Sequence, residues 1–164
     1  MIICVTGSRE YANLSLIRDT LYGLLNYPGR KEELTALYVG DARGVDKRAA
    51  LEWKELTGLD AKTFSPDWKQ YGRSAGILRN IQMIDQFKQD GGSLVLGFWN
   101  GSSTGTAQCL DYARRQGLIA LEVIGFEDIQ TNDNGTKKGT LKLKPWKPEL
   151  TPTNFDQGQE PPLV

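Results

Sequence analysis

The sequence predicts an α/β fold: a five-stranded parallel sheet with helices on both faces. Two observations lead to this prediction. Short apolar runs alternate along the chain with segments whose apolar residues recur at helical spacing. The apolar runs are nearly continuous, which is typical of strands that are buried on both faces of a parallel sheet. Right-handed crossovers are expected between consecutive strands.

Each predicted element has its own signal. The five strands are the short apolar runs at Ile2–Val5, Leu37–Val39, Ala61–Phe64, Leu94–Phe98 and Ile119–Ile124. The helices follow these strands, at Leu14–Leu25, around Ala49–Leu56, near Ser74–Lys88, and from the loop after the fourth strand to Gly117. The first helix is expected to end at Tyr27-Pro28-Gly29, and the second at Gly58, because glycine favours the left-handed conformation that closes a helix.

The end of the chain differs in composition. We predict a ligand-binding domain over residues 1–126 and a polar, proline-containing extension over 127–164, which forms a hairpin or a strap. Asn132–Gly135 offers a hairpin turn, and Thr140–Lys144 alternates like an edge strand. Two interpretations of the proline-rich end remain open: a solvated tail, or a strap that packs Trp146 on the domain or on a neighbouring subunit.

Composition limits the classes of function. The 164 residues suit one domain, and the 20 basic and 20 acidic residues give no reason to expect a nucleic-acid partner. No apolar run is long enough for a membrane span, and the first residues lack the layout of a signal peptide, so we expect a cytoplasmic protein without a membrane partner. The chain has no histidine, and Cys4 and Cys109 form no metal or redox spacing. We therefore predict no metal site and no cofactor, and interpret Cys4 as a buried apolar residue.

Glycine-rich and charged loops follow four of the strands. In parallel sheets, ligands bind beyond the carboxyl ends of the strands, so these loops are expected to converge. The loop at 101–106 precedes a helix, whose free amides and dipole suit a phosphate, and arginines elsewhere suit the same group. The predicted ligand-binding residues are Gly7, Ser8, Arg9, Gly40, Asp41, Arg43, Gly44, Asp46, Arg79, Asn80, Gly101, Ser102, Ser103, Thr104, Gly105 and Thr106.

Several of these residues also have a purely structural interpretation. Asp41 and Asp46 could accept hydrogen bonds from ribose hydroxyls, although for Asp46 a helix cap is the favoured interpretation. Trp68 and Trp99 could stack on a base, and each is equally explained as core or cover. The phosphate-binding loop with its lysine and the GxGxxG pattern are both missing, so no single loop is specific.

Four motifs in order give a more specific signal: VTGSREY, GDARGVDKRAALEW, DWKQYGRSAGILRNIQM and the loop at 101–106. With this spacing the sequence resembles the YspA/YpsA-related branch of the SLOG superfamily, which is named for the Smf/DprA proteins and the LOG phosphoribohydrolases. The resemblance covers about residues 1–125. It implies a Rossmann-like sheet that binds nucleotides or nucleotide-derived signals. Members are common in phages, mobile elements and conflict systems, where related domains sense or sequester ADP-ribose-type or cyclic nucleotide messengers.

The resemblance also tests an enzymatic interpretation. LOG enzymes carry the signature PGGxGTxxE, with an arginine on a preceding helix. Gly105 and Thr106 match the signature and Arg79 can stand for the arginine, but Cys109 occupies the glutamate position, with Gln108 beside it. Neither supplies the carboxylate that hydrolysis of the glycosidic bond needs. We therefore name no catalytic residue.

The expected function is binding of a nucleotide or nucleotide-derived signal, as a sensor or as a sponge that sequesters it, in phage counter-defence. A LOG-like nucleoside-monophosphate phosphoribohydrolase, or another N-glycosidic hydrolase with an unrecognised acid, is the alternative. A nucleic-acid binder in the manner of the DprA relatives is disfavoured by the neutral charge. The resemblance and the unexplained tail lead us to expect a homo-oligomer.

Overall fold

The computed structural model describes residues 1–27, 29–131, 133 and 137–146. Its strands are β1 (Ile2–Gly7), β2 (Ala36–Gly40), β3 (Lys62–Phe64), β4 (Leu94–Phe98), β5 (Ile119–Thr131) and β6 (Lys137–Pro145). Its helices are α1 (Ser15–Leu25), α2 (Val45–Thr57), α3 (Trp68–Tyr71), α4 (Ala75–Gln89) and α5 (Thr104–Arg115), with a 3₁₀ turn at Gly72–Ser74. None of the described helices is long and apolar enough to cross a membrane.

The strands form one sheet in the order β3-β2-β1-β4-β5-β6. The first five are parallel, as predicted, and β6 is antiparallel to β5. The chain moves outward from β1 to β3 and then returns to the other side of β1, so the direction of winding reverses between β1 and β4. The α/β fold class with helices on both faces is confirmed, and the edge strand predicted in the extension joins the five-stranded sheet as β6.

Side chains alternate between the two faces of the sheet, and each face contributes to its own hydrophobic core. Ile3 and Val5 of β1 face one core together with α1 and α2, whose largest buried side chain is Trp53. Cys4 lies between them in sequence and faces the other core, where α4 and α5 contribute Phe87 among others. Because neighbouring side chains of a strand point to opposite faces, one apolar run supplies both cores. Cys4 is fully buried, as its interpretation as an apolar residue predicted.

Glycine ends the second helix at the predicted position. Gly58 follows α2 with φ of 76°, and its amide donates to the Lys54 carbonyl, which closes the last turn. The first helix ends at Leu25, two residues before the predicted stop at Tyr27-Pro28-Gly29, of which Pro28 lies outside the described residues. The Asn26 amide and side chain both donate to the Tyr22 carbonyl and satisfy the end of this helix.

The largest difference from expectation is the length of β5. Only Ile119–Glu122 of this 13-residue strand pairs with β4, whereas β6 pairs with β5 from Leu121 to Thr131. The predicted edge strand Thr140–Lys144 lies inside β6. The predicted turn Asn132–Gly135 lies outside the described residues, apart from Asp133. Residues 127–131 are mostly polar, so no apolar pattern in the sequence predicts a strand there. A two-stranded ribbon of this kind is stabilised by hydrogen bonds between its strands and by the surface on which it packs.

Trp146 follows β6 and packs on the domain. Its amide donates to the Ala120 carbonyl at 2.9 Å, and its indole Nε1 donates to Asp111 at 3.4 Å. The ring stands edge-on to Trp99, with ring centroids 5.2 Å apart. The remaining proline-rich residues, 147–164, lie outside the described residues.

Candidate ligand-binding site

The loops after β1 and β4 are joined by hydrogen bonds at the point where the winding reverses. The Ser8 amide donates to the Phe98 carbonyl at 3.0 Å, and the Asn100 amide donates to the Ser8 hydroxyl at 3.1 Å. The Asn100 side chain then donates to the Glu10 carbonyl at 2.9 Å. Open α/β sheets form their ligand crevices at this type of position.

Two glycines allow the β1 loop to lie directly against α2. A Cβ at Gly7 would overlap the Val45 side chain, and a Cβ at Gly44 would lie 2.7 Å from the Ser8 carbonyl oxygen. Gly44 also has φ of 81°, a conformation that side chains with a Cβ disfavour. Both predicted site residues therefore permit a close approach between the ends of β1 and β2.

A cleft of about 290 Å³ lies over the ends of β1, β2 and β3, and we call it the strand-end cleft. Three of its lining residues are arginines that the sequence predicted as ligand-binding. The complete lining is Arg9, Asp41, Ala42, Arg43, Pro66, Trp68 and Arg79. The loops after three strands thus meet at one concave surface, to which α4 adds Arg79.

Arg79 is a buried cation that contacts the loop after β2 and the end of β3. Its Nη1 donates to Asp41 at 3.2 Å and to the Phe64 carbonyl at 3.0 Å, and its Nε donates to Asn80 at 2.9 Å. Its Nη2 lies 4.0 Å from the Asp46 carboxylate. Gly40 makes this arrangement possible, because a Cβ there would lie 2.6 Å from Nη1 of Arg79. Most donors of this guanidinium are therefore committed to the protein.

Asp46 is nearly fully buried behind the cleft, with 4% of its surface exposed. Burial raises the pKa of its carboxyl from the ordinary value of 3.8 to about 6, although Arg79 and the Ala42 amide lower it. The carboxylate accepts from the Ala42 amide at 3.2 Å. The favoured interpretation of Asp46 as a helix cap is wrong. Gly44 occupies the cap position of α2, and the Asp46 side chain binds the loop that precedes the helix.

The two other arginines of the cleft are more accessible. Arg43 forms an ion pair with Glu10, but the two side chains are 71% and 77% exposed, so solvent screens this pair. Arg9 is exposed, and among the described residues no carboxylate lies within ion-pair distance of it. These two side chains are free to exchange their present surroundings for an anion.

The loop at 101–106 is closed by its own hydrogen bonds. The amides of Ser102 and Ser103 both donate to the Asn100 side-chain oxygen, at 3.0 and 2.9 Å. Ser103 caps α5 by accepting from the Thr106 amide. Residues Gly101–Thr106 are not among those that line the strand-end cleft. The side-chain oxygen of Asn100 thus occupies the turn of amides that the sequence suggested for a phosphate.

The remaining predicted residues lie on different sides of this region. Trp68 lines the cleft with 53% of its surface exposed. Trp99 lies elsewhere, where its indole donates to the Ser103 carbonyl and its ring packs on Trp146. Asn80 connects Arg79 to α5 by donating to the Gly105 carbonyl at 3.4 Å, and so supports the cleft without lining it.

This chain is similar in sequence to a bacteriophage protein. The gene 61 protein of Mycobacterium phage D29 is 31% identical to it over 130 residues, which cover 77% of this chain and 96% of the phage protein. The chain belongs to the family of this gene 61 protein. The gene 61 family is therefore represented in a bacteriophage. Neither a protein-family model nor a solved structure matches the chain.

In this member of the gene 61 family, Cys109 of α5 is fully buried in the core between that helix and the sheet. Burial raises the pKa of its thiol to about 12, although a hydrogen bond with Thr6 lowers it. Burial and a raised pKa both disfavour the thiolate form, which is the nucleophilic one. Among the described residues, no three side chains of the types that ligate metals lie close together.

Sequence reasoning missed three residues of this region. Ala42 and Pro66 line the cleft, and Asn100 closes the loop after β4. Pro66 and Ala42 lie in loops that follow strands, and this position alone could have predicted that they line the cleft. Asn100 directly follows an apolar strand and precedes Gly101, a pattern that favours an asparagine turn in which the side chain binds amides two residues on.

Proposed function

We propose that the strand-end cleft binds a nucleotide or a nucleotide-derived signalling molecule. The observation that carries the proposal is the meeting of Arg9, Arg43 and Arg79 with the exposed ring of Trp68 in one cleft of about 290 Å³. Guanidinium groups recognise phosphate through paired hydrogen bonds, and an indole face offers a stacking surface for a base.

The charges of the cleft favour an anionic ligand. Arg79 is balanced by Asp41, at 3.2 Å, and by Asp46, at 4.0 Å. The pairing of Arg43 with Glu10 is exposed, and Arg9 adds a further positive charge. A phosphate can therefore bind Arg9 and Arg43 without breaking a buried ion pair.

The broader assignment rests on the resemblance. Four motifs of this chain resemble the YspA/YpsA-related branch of the SLOG superfamily, and the related gene 61 protein is encoded by a phage. We propose that the protein senses or sequesters an ADP-ribose-type or cyclic nucleotide signal in the cytoplasm of an infected cell, and that it acts as a homo-oligomer. Because Asn100 and Ser103 occupy the amides of Ser102, Ser103 and Thr106, the loop Gly101–Thr106 is proposed to contact further phosphates of a longer ligand through its hydroxyl groups.

The experiment is isothermal titration calorimetry with AMP, ADP-ribose and cyclic nucleotides. Arg9→Ala is expected to weaken binding about tenfold or more, because a hydrogen bond to a charged group contributes about 1.5–3 kcal/mol. Arg114→Ala is the matched control, because Arg114 lies in the last turn of α5, at the opposite edge of the sheet. If no compound of this panel binds, or if both variants lose affinity equally, the proposal is wrong.

Chromatography of the same mixtures separates binding from hydrolysis. Ligand that is recovered intact after heat release supports a sensor or sponge. Release of free base would instead favour the phosphoribohydrolase or another N-glycosidic hydrolase, and would require an acid other than Cys109.

A further inference from the structure

The walls of the strand-end cleft differ in chemistry from one strand to the next. Pro66 and Trp68 follow β3 and form an apolar wall. Asp41 follows β2 and presents a carboxylate, and Arg9 follows β1 and presents a cation. Because the sheet order is β3-β2-β1, the apolar wall and Arg9 lie on opposite sides of Asp41. Arg43 reaches from the loop after β2 toward Arg9, since it pairs with Glu10.

We infer that the cleft takes a single ribonucleoside 5′-phosphate, with its base against Trp68, its ribose at Asp41 and its phosphate at Arg9 and Arg43. This inference rests on the proposed function and adds the orientation and the sugar specificity of the ligand. Neighbouring strands lie about 4.8 Å apart, so β3 and β1 are separated by about 10 Å. A nucleotide also places its base and its 5′-phosphate on the two sides of one sugar ring.

Trp68 is positioned as a platform. The Asp67 side chain accepts from the Gln70 amide at 3.1 Å and fixes the start of α3, where Trp68 is the first residue. On one side the indole reaches Gly76 of α4, where a Cβ would lie 3.8 Å from the ring. The 53% of its surface that remains exposed gives the ring area that a base can cover.

Asp41 is positioned as the acceptor for a sugar. Its Oδ1 accepts from Arg79 at 3.2 Å, which fixes the orientation of the carboxylate. Its Oδ2 has no hydrogen-bond partner among the described residues, and 34% of the side chain is exposed. An acceptor-only group of this kind suits the 2′- and 3′-hydroxyls of ribose, which donate, and repels phosphate.

The volume of the cleft suits one nucleotide unit. Pockets for drug-sized ligands span about 300–1,000 Å³, and the cleft of about 290 Å³ is close to the lower limit of that range. A ligand with two nucleotide units would leave its second unit outside the cleft. The same geometry would hold one unit of a larger signal, such as the adenosine half of an ADP-ribose derivative.

The test is calorimetry with AMP, 2′-deoxy-AMP and adenosine. The wild-type protein is expected to bind AMP about tenfold or more tightly than either of the other two. Asp41→Asn keeps the Oδ1 acceptor for Arg79 and is expected to remove the preference for ribose over deoxyribose. Trp68→Ala is expected to weaken all three ligands by about tenfold, whereas Trp68→Phe retains an aromatic face and most of the affinity.

Fluorescence gives a second readout. AMP is expected to quench the tryptophan emission of the wild-type protein, and Trp68→Phe is expected to lose most of that quenching. Equal affinity of the wild-type protein for AMP and 2′-deoxy-AMP, or unchanged AMP quenching in Trp68→Phe, would overturn the inference while nucleotide binding itself stands. Failure of AMP, ADP-ribose and cyclic nucleotides alike to bind would instead refute the proposed function.

Discussion

Replacement of Asp46 by asparagine is expected to change how stability depends on pH. The wild-type carboxyl is buried, and its pKa is raised from 3.8 to about 6, so the folded protein holds a proton that the unfolded chain releases between these values. This group therefore favours the folded state fully below pH 3.8, and its contribution is lost as the pH rises through 6. Asparagine cannot titrate, and its side-chain oxygen can still accept from the Ala42 amide.

The magnitude follows from the difference between the two pKa values. About two pKa units correspond to about 3 kcal/mol, of which about 2 kcal/mol falls between pH 4 and pH 6.5. The free energy of unfolding of the wild-type protein, relative to Asp46→Asn, is thus expected to fall by about 2 kcal/mol over that range. Arg79 is the nearest cation to this carboxylate, and it lowers the pKa less than burial raises it.

The assay is urea denaturation at several pH values, followed by tryptophan fluorescence. Differences between variants cancel the titration of the other carboxylates, which affects both proteins equally. Asp60→Asn is the matched control, because it removes the same carboxylate from a side chain that is 89% exposed rather than buried. A difference between the wild type and Asp46→Asn that stays constant with pH would refute the reasoning from burial.

Three further predictions concern stability. Gly23→Ala is expected to stabilise the protein by about 0.5–1 kcal/mol in thermal unfolding, because Gly23 is an exposed residue inside α1 and a Cβ there meets nothing within 4 Å; a loss of stability would contradict this. Gly40→Ala is expected to cost about 1–3 kcal/mol by displacing Arg79, and an unchanged denaturation midpoint would show that the cleft can adapt. Trp146→Ala is expected to cost about 3–5 kcal/mol in urea denaturation, since it empties the space beside Trp99; a cost below 1 kcal/mol would mean that this residue does not stabilise the domain.

The sequence predicted the central fold well because local and tertiary signals agree there. The run Leu94–Phe98 forms β4 with the predicted bounds, and Gly58 ends α2 as expected. The extent of β5 could not be predicted in the same way. Residues 123–131 are stabilised by pairing with β6, and no local pattern reports a partner that is distant in sequence.

The sequence predicted the three arginines of the candidate site, but not the hydrogen bonds and ion pairs among its residues. Arg9, Arg43 and Arg79 follow from the position of their loops and helix relative to the strand ends, and all three line the strand-end cleft. The commitment of Arg79 to Asp41 and to the Phe64 carbonyl depends on three separate segments, as does the burial of Asp46. Such contacts become visible only once the elements are assembled.

The direction of β6 has a practical consequence. Because β6 runs back along β5, Trp146 lies beside Ala120, near the start of β5, and Met1 likewise precedes the start of β1. Both positions are therefore at the edge of the sheet opposite the strand-end cleft. Anchoring the protein to a sensor chip or a bead through Met1 should leave the cleft pointing away from the support, open to a ligand that flows past.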